Sequence, residues 1–211
     1  MSSLIRKPFS YSFKNATVII ILVNLGVYLL EKIFPPSISI LSLNVINCIG
    51  HKMFWQPFTY MFVHGNFQHI FFNMFGLFIF GMNVERAIGT KEFCLMYFVT
   101  GFLCGLLSLV VYFISGNYGI FLMGASGAIY GILLAYAVIF PRNRIFIWGI
   151  IPIPAPVLVI VYAVIETVSQ VFGVQNGVAH SVHLAGFLFT FLYFIVRMGI
   201  NPIKVWKNAY R

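Results

Sequence analysis

Four polar side chains interrupt otherwise apolar runs of this sequence at places where hydrocarbon offers them no partner. They are Ser126 in Gly124-Ala-Ser126-Gly127, His183 in His180-Ser-Val-His183, and His69 with Asn73 in the run that opens at His64. In a membrane each such residue is a functional candidate by default. A serine hydroxyl becomes a competent nucleophile when a neutral histidine takes its proton, so Ser126 and His183 read as nucleophile and general base. Burial disfavours the imidazolium and keeps such a ring able to accept a proton. The tetrahedral intermediate of acyl transfer needs donors aimed at its oxyanion. His69 and Asn73, four apart on one helix face, suit that role together with the Ser126 amide. Of the four acidic residues Glu31, Glu85, Glu92 and Glu166, only Glu166 falls near the level of the histidine. A dyad rather than a triad is therefore expected, with Tyr130, one turn after Ser126, stacked on the ring.

The elements that must position these groups follow from composition. Of 211 residues 61% are hydrophobic and 8% charged, against about 25% charged in a soluble domain. Apolar runs at 17 to 33, 68 to 84, 93 to 114, 123 to 140, 150 to 168 and 181 to 197 predict six spans in an all-α polytopic membrane protein. Residues 1–211 read as a single membrane domain, with a short N-terminal segment 1–16, a first loop 34–67 and a tail 198–211. A cleaved signal peptide and an appended soluble domain are not expected. The net charge of +9 does not mark a nucleic-acid binder, because the basic residues lie between apolar runs. With the N-terminus inside, Arg6, Lys7, Lys14, Arg86, Lys91, Arg142, Arg144, Arg197, Lys204, Lys207 and Arg211 are all cytoplasmic, and only Lys32 and Lys52 fall outside. That asymmetry predicts both termini in the cytoplasm. Cys48, Cys94 and Cys104 show no disulfide framework.

Depth brings the candidates together. Counted at helical rise from the inner basic ends, Ser126 lies about 24 Å from Arg142, His183 about 21 Å from Arg197, and Asn73 and His69 about 20 and 25 Å from Arg86. Three helices thus place their polar groups at one level, nearer the outer face. Gly124, Gly127, Gly131 and Gly186 would let those helices approach closely. Ser181, His180, Gln68 and His64 are candidates for a water entrance. The first loop, with Pro35-Pro36 and the aromatic stretch Phe54 to Phe62, is too apolar for a free loop and is expected in the outer interface. Trp55, Trp148 and Trp206 fall near helix ends or in a loop, as interface anchors do. The segment around Pro141 and the run Pro152, Pro154, Pro156 predict an inner turn and an irregular start of the fifth helix. Glu85 and Arg86 are expected to brace an inner turn. Singly, a G-x-S-G or a membrane histidine usually reports packing; here motif, order and depth agree.

These residues resemble the rhomboid family of intramembrane serine proteases. The resemblance runs from Trp55 through His64, His69 and Asn73, then Val84-Glu85-Arg86-Ala-Ile-Gly89 and Gly124-Ala-Ser126-Gly127 with Tyr130 and Gly131, to His180-x-x-His183-Leu-Ala-Gly186. It implies a six-helix rhomboid-like bundle with an interfacial first loop, a Ser126 nucleophile, a His183 base, and oxyanion stabilisation by His69, Asn73 and the Ser126 amide. It further implies cleavage of transmembrane protein substrates near the outer ends of their helices, with the fifth helix gating access and no metal or cofactor. Two positions depart from the pattern. Gln56 stands where a Trp-Arg pair would place arginine, which leaves the polar anchoring of the loop open, and Met123, three residues before the serine, would narrow or reshape the adjacent pocket. A compact chain of this kind suits a bacterial cytoplasmic membrane. Competing readings are a rhomboid-like pseudoprotease that only binds clients, a metal or haem protein using His64, His69, His180 and His183, and a small transporter. Retention of Ser126 and His183, the absence of HExxH spacing and the lack of charged midplane segments weigh against them in turn.

Overall fold

A computed structural model describes residues 4–147, 149–173 and 179–211; Trp148 lies outside them. Helices dominate: α1 (Ala16–Ile33), α2 (Phe67–Ile88), α3 (Thr90–Ile114), α4 (Ser126–Ile139), α5 (Ala155–Val171), α6 (His180–Met198) and α7 (Pro202–Ala209). Four of them, α1, α2, α3 and α6, are long and apolar enough to cross a membrane, while α4 and α5 are apolar but shorter, at 14 and 17 residues. The molecule turns its apolar side outward. On α1, Ile19, Leu22, Leu25 and Leu29 are exposed, whereas Thr17, Asn24 and Glu31 are buried. On α5 the exposed residues include Val157, Ile160, Val164 and Val168, and Glu166 is buried. Polar and ionisable side chains kept inside the bundle under an exposed aliphatic coat are the arrangement hydrocarbon solvent selects. The chain is an integral membrane protein.

At the centre stands α4, whose Gly127, Ala128, Ile129, Gly131, Ile132, Leu133, Leu134, Ala135, Ala137 and Val138 are all buried. It packs most extensively on α6 and also on α2, α3 and α5. Because neighbouring helices rather than lipid surround it, α4 does not itself have to cover the full apolar thickness. An extended stretch leads down to its start, pinned where Leu43 and Leu122 exchange backbone hydrogen bonds of 3.0 and 2.8 Å and where the Gly124 amide donates to Tyr60 O at 2.9 Å.

Carboxylates brace the end opposite to Ser126. Glu85 accepts the free first-turn amides of α1, from Ala16 (2.7 Å) and Thr17 (2.8 Å), and the hydroxyls of Thr17 (2.8 Å) and Thr90 (2.5 Å). This satisfies amides that Asn15, in the left-handed region at φ 54°, does not cap. Glu92 on α3 forms a two-pronged ion pair with Arg197 on α6, at 2.9 and 2.8 Å, and accepts the Tyr193 hydroxyl.

The first loop is folded rather than free. It contains short helices at Pro36–Leu41 and Gln56–Thr59, the latter packed on α3. Gln56 is fully buried; its Nε2 donates to Ser39 O (3.0 Å) and Ile40 O (3.2 Å), and its Oε1 accepts the Asn44 amide (3.1 Å). The polar anchoring left open at this position is supplied by an uncharged amide. Trp55 donates to Ile40 O at 2.9 Å while its ring remains half exposed.

Two elements differ from the sequence reading. Between α4 and α5, Arg144–Ile147 (β1) and Ile151–Pro154 (β2) form an antiparallel hairpin with Arg144 opposite Pro154 and Ile147 opposite Ile151, so the fold is helical with one small ribbon rather than all-α. Prolines argue against strands in a sheet interior, but in a two-stranded ribbon both strands are edges and a missing N–H can face outward. The tail contains α7, capped by the Asn201 side chain on the Lys204 amide (3.1 Å) and docked through Trp206, whose Nε1 donates to Ala137 O at 2.9 Å.

Candidate active site

Ser126 is the first residue of α4. Ala125 before it provides no side-chain cap, so the first-turn amides of α4, that of Ser126 included, have no intrahelical acceptor. The Ser126 hydroxyl lies 2.8 Å from His183 Nε2 on α6. Tyr130, one turn into α4, stacks its ring on the imidazole with centroids 4.1 Å apart and planes 8° from parallel. Phe187, one turn beyond His183, packs on the far part of Tyr130 with centroids 5.2 Å apart. His183 is thus clamped between elements that the sequence separates by more than fifty residues.

The approach of α4 and α6 rests on glycine. A Cβ at Gly186 would overlap the Gly127 carbonyl oxygen, and one at Gly131 would meet Thr100 Cγ2 at 2.9 Å and Gly186 O at 3.2 Å. Gly124, just before the serine, adopts φ +114°, and a Cβ there would lie 2.6 Å from His69 Nε2. Only glycine satisfies both the backbone and the space.

His69 is therefore against the segment that leads into Ser126. Asn66 caps α2 by accepting the His69 amide at 2.8 Å, and Asn73 Nδ2 donates to His69 O at 2.8 Å. The Asn73 amide is thus engaged within its own helix. His64 is fully buried; its amide donates to Glu31 Oε1 (3.2 Å), and its ring meets that of His69 edge-on at 5.0 Å. It does not line an entrance as expected, whereas Gln68 is exposed and Ser181 half-buried. Burial, with His69 acting in the same direction, pushes the His64 imidazole down to about 4 against the pull of the Phe62 carbonyl. Met123 is half-buried, its Sδ 3.3 Å from where a Cβ at Gly65 would stand.

Glu166 is the residue the sequence reading underrated. From α5 it reaches His183 Nδ1 with Oε1 at 2.9 Å and His180 Nδ1 with Oε2 at 2.5 Å, and Oε1 also accepts the Tyr130 hydroxyl at 2.5 Å. An acid does stand beside the histidine, contrary to the expectation of a bare pair. Its sequence signal was weak because the acid and the two histidines lie on separate helices.

Among the described residues, Glu166, His180 and His183 are also the one group of three potential metal ligands, their donor atoms within 4.8 Å of one another. The N–O separations of 2.5 and 2.9 Å are hydrogen-bond lengths. Ligands at about 2.0–2.2 Å around a tetrahedral ion would stand wider apart. His64 and His69 do not join this group, so the four histidines of the metal-centre reading do not converge.

A part-buried serine–histidine contact at the end of a central helix meets a matching sequence: the Rhomboid domain family model covers residues 51–199, from the first loop to the end of α6. The chain belongs to the rhomboid family. It is 30% identical over 154 residues to RHOMBOID-like protein 4 of Arabidopsis thaliana, covering 73% of this chain and 36% of that protein. It is 28% identical over 206 residues to the rhomboid protease AarA of Providencia stuartii, covering 84% and 70%, and 26% identical over 155 residues to the rhomboid protease GlpG of Haemophilus influenzae, covering 74% and 73%. Against two of the plant relatives the chain spans only 36% and 42% of their length. The matched rhomboid region contains Ser126, His183, His69, Asn73 and Glu166, and leaves out α1 and α7.

Proposed function

We propose that this rhomboid is an intramembrane serine endopeptidase that cleaves transmembrane proteins near the outer end of their membrane helix. The observation that carries the reading is the 2.8 Å contact between Ser126 Oγ and His183 Nε2, inside a helical bundle with an apolar exterior. In the first step the hydroxyl proton passes to His183 Nε2 as Ser126 Oγ bonds to the scissile carbonyl carbon, whose oxygen becomes an oxyanion. The Ser126 amide and His69 are the proposed donors to that oxygen, joined by Asn73 if substrate draws its amide away from the His69 carbonyl. His183 then gives the proton to the leaving nitrogen as the C–N bond breaks, leaving an acyl-enzyme on Ser126. Water attacks the ester, its proton goes to His183, and return of that proton to Ser126 Oγ releases the acid. No metal or cofactor takes part in these steps.

Six membrane-crossing helices, both termini in the cytoplasm and residence in a bacterial cytoplasmic membrane complete the proposal. The basic residues support the orientation. Retention of both Ser126 and His183 favours a protease over a client-binding pseudoprotease.

The chemistry is tested with a fluorophosphonate, which reacts with activated serines. Mass spectrometry of the treated protein is expected to place a single adduct on Ser126, with labelling at least 100-fold slower in His183→Ala. An adduct on another serine, or equal labelling in the variant, would sink the proposed pair.

A further inference from the structure

We propose that Glu166 is a positioning residue for His183, holding the imidazole with its proton on Nδ1 and balancing the positive charge that the ring acquires when Ser126 attacks. The inference rests on the Ser126–His183 reading and extends it. Glu166 is buried at 4% exposure, and among the described residues no lysine or arginine bonds to it; its ion-pair partners there are the two histidines. A buried carboxylate of this kind needs donors, and three are supplied: the Tyr130 hydroxyl, His180 Nδ1 and His183 Nδ1.

The protonation pattern follows from the geometry. An ionised carboxylate only accepts, so both Nδ1 atoms must carry hydrogen. His183 then presents its Nε2 lone pair, and Nε2 is the atom that faces the Ser126 hydroxyl. The other tautomer would set N–H against O–H and leave the serine without a base. His180 acts one step further out. Among the described residues its Nε2 is buried without a partner, and its Nδ1 bond holds Glu166 Oε2. Tyr130 joins the arrangement twice, stacking on the His183 ring and donating to Glu166 Oε1. Rotation of the ring would break the stack and the carboxylate bond together.

The titratable groups around His183 are Glu166 and, behind Tyr130, Tyr162 from α5; Tyr130 from α4; Cys104 from α3, whose Sγ meets the neighbouring Val182 carbonyl; His69 from α2; and His180 on its own helix. Glu166 is the carboxylate in this set. Its removal should make imidazolium formation harder, so the acidic limb of the pH–rate profile, where His183 loses activity by protonation, moves to lower pH.

The test measures kcat and KM against pH for cleavage of a single-span reporter by the intact chain, Glu166→Gln, Glu166→Asp and Ser126→Ala, with thermal unfolding of each. In Glu166→Gln we expect kcat to fall roughly 100- to 10,000-fold, KM to stay within about threefold, and the acidic limb to move down by about one pH unit. Glu166→Asp, one methylene shorter but charged, should recover at least about tenfold over the glutamine variant and keep the limb near its original position. A glutamine variant that keeps kcat within about threefold, or loses it with the limb unmoved, overturns the positioning role while an inert Ser126→Ala leaves the nucleophile standing. Cleavage by Ser126→Ala would instead remove the reading beneath it. Should Glu166→Gln not fold, nitrogen-15 NMR of histidine in the intact chain decides: His183 protonated on Nδ1 at neutral pH is expected, and protonation on Nε2 overturns the proposal.

Discussion

A buried polar group is stabilised where it finds a specific partner, and His64 shows the cost of lacking one on one side of its ring. Its Nε2 is buried with no hydrogen-bond partner among the described residues, and burial holds its imidazole neutral down to about pH 4. An unfolded histidine takes up its proton near 6.5. Folded-state affinity for the proton is therefore lower, so stability is full above about pH 6.5 and declines as the pH falls towards 4, by roughly 3 kcal/mol. Thermal unfolding in detergent between pH 4 and 8 should show this slope in the intact chain and a flatter profile in His64→Leu; parallel profiles would contradict it. Gln56 makes the opposite point. The sequence marks it only as a departure from an arginine, whereas three hydrogen bonds in the fold explain how an amide can fill that place.

At the scale of elements, the geometry of the proposed active site depends on how closely α4 and α6 approach. Gly186 faces the Gly127 carbonyl, a backbone atom that cannot turn aside. Gly186→Ala should therefore force the helices apart, cost about 1–3 kcal/mol of stability and weaken the Ser126–His183 contact. A variant that keeps both its melting temperature and its cleavage rate would show that the interface yields more easily than its geometry implies. The helices themselves were legible, since apolar runs record them directly: the predicted run 93 to 114 lies within Thr90–Ile114, and 17 to 33 within Ala16–Ile33. The hairpin at 144–154 was not, because Pro152 and Pro154 disguise strands that happen to be edges. Nor was α7, whose helix formation draws on the Asn201 cap and on Trp206 docking to Ala137 rather than on an apolar run.

Across the whole molecule, the outward aliphatic coat leaves α4 enclosed and its first residue facing His183. Ser126 and His183, which the fold brings into contact, stood out because polar groups are rare in such a chain and helical rise converts their positions into depth; His69 and Asn73 stood out on the same grounds, and their part in the site is a proposal. Glu166 was harder to weigh. Depth alone brought it to the right level, but its direction depends on how α5 leans on α4 and α6, which no local pattern records. The rhomboid match fixes the family, and the site then carries the proposal that this chain is a protease. The most direct measurement is cleavage of a single-span reporter by purified protein in liposomes, with the intact chain beside Ser126→Ala and His183→Ala. Cleavage by the intact chain and a loss of at least about 1,000-fold in each folded variant are expected; cleavage by Ser126→Ala at the intact rate would contradict the proposed protease.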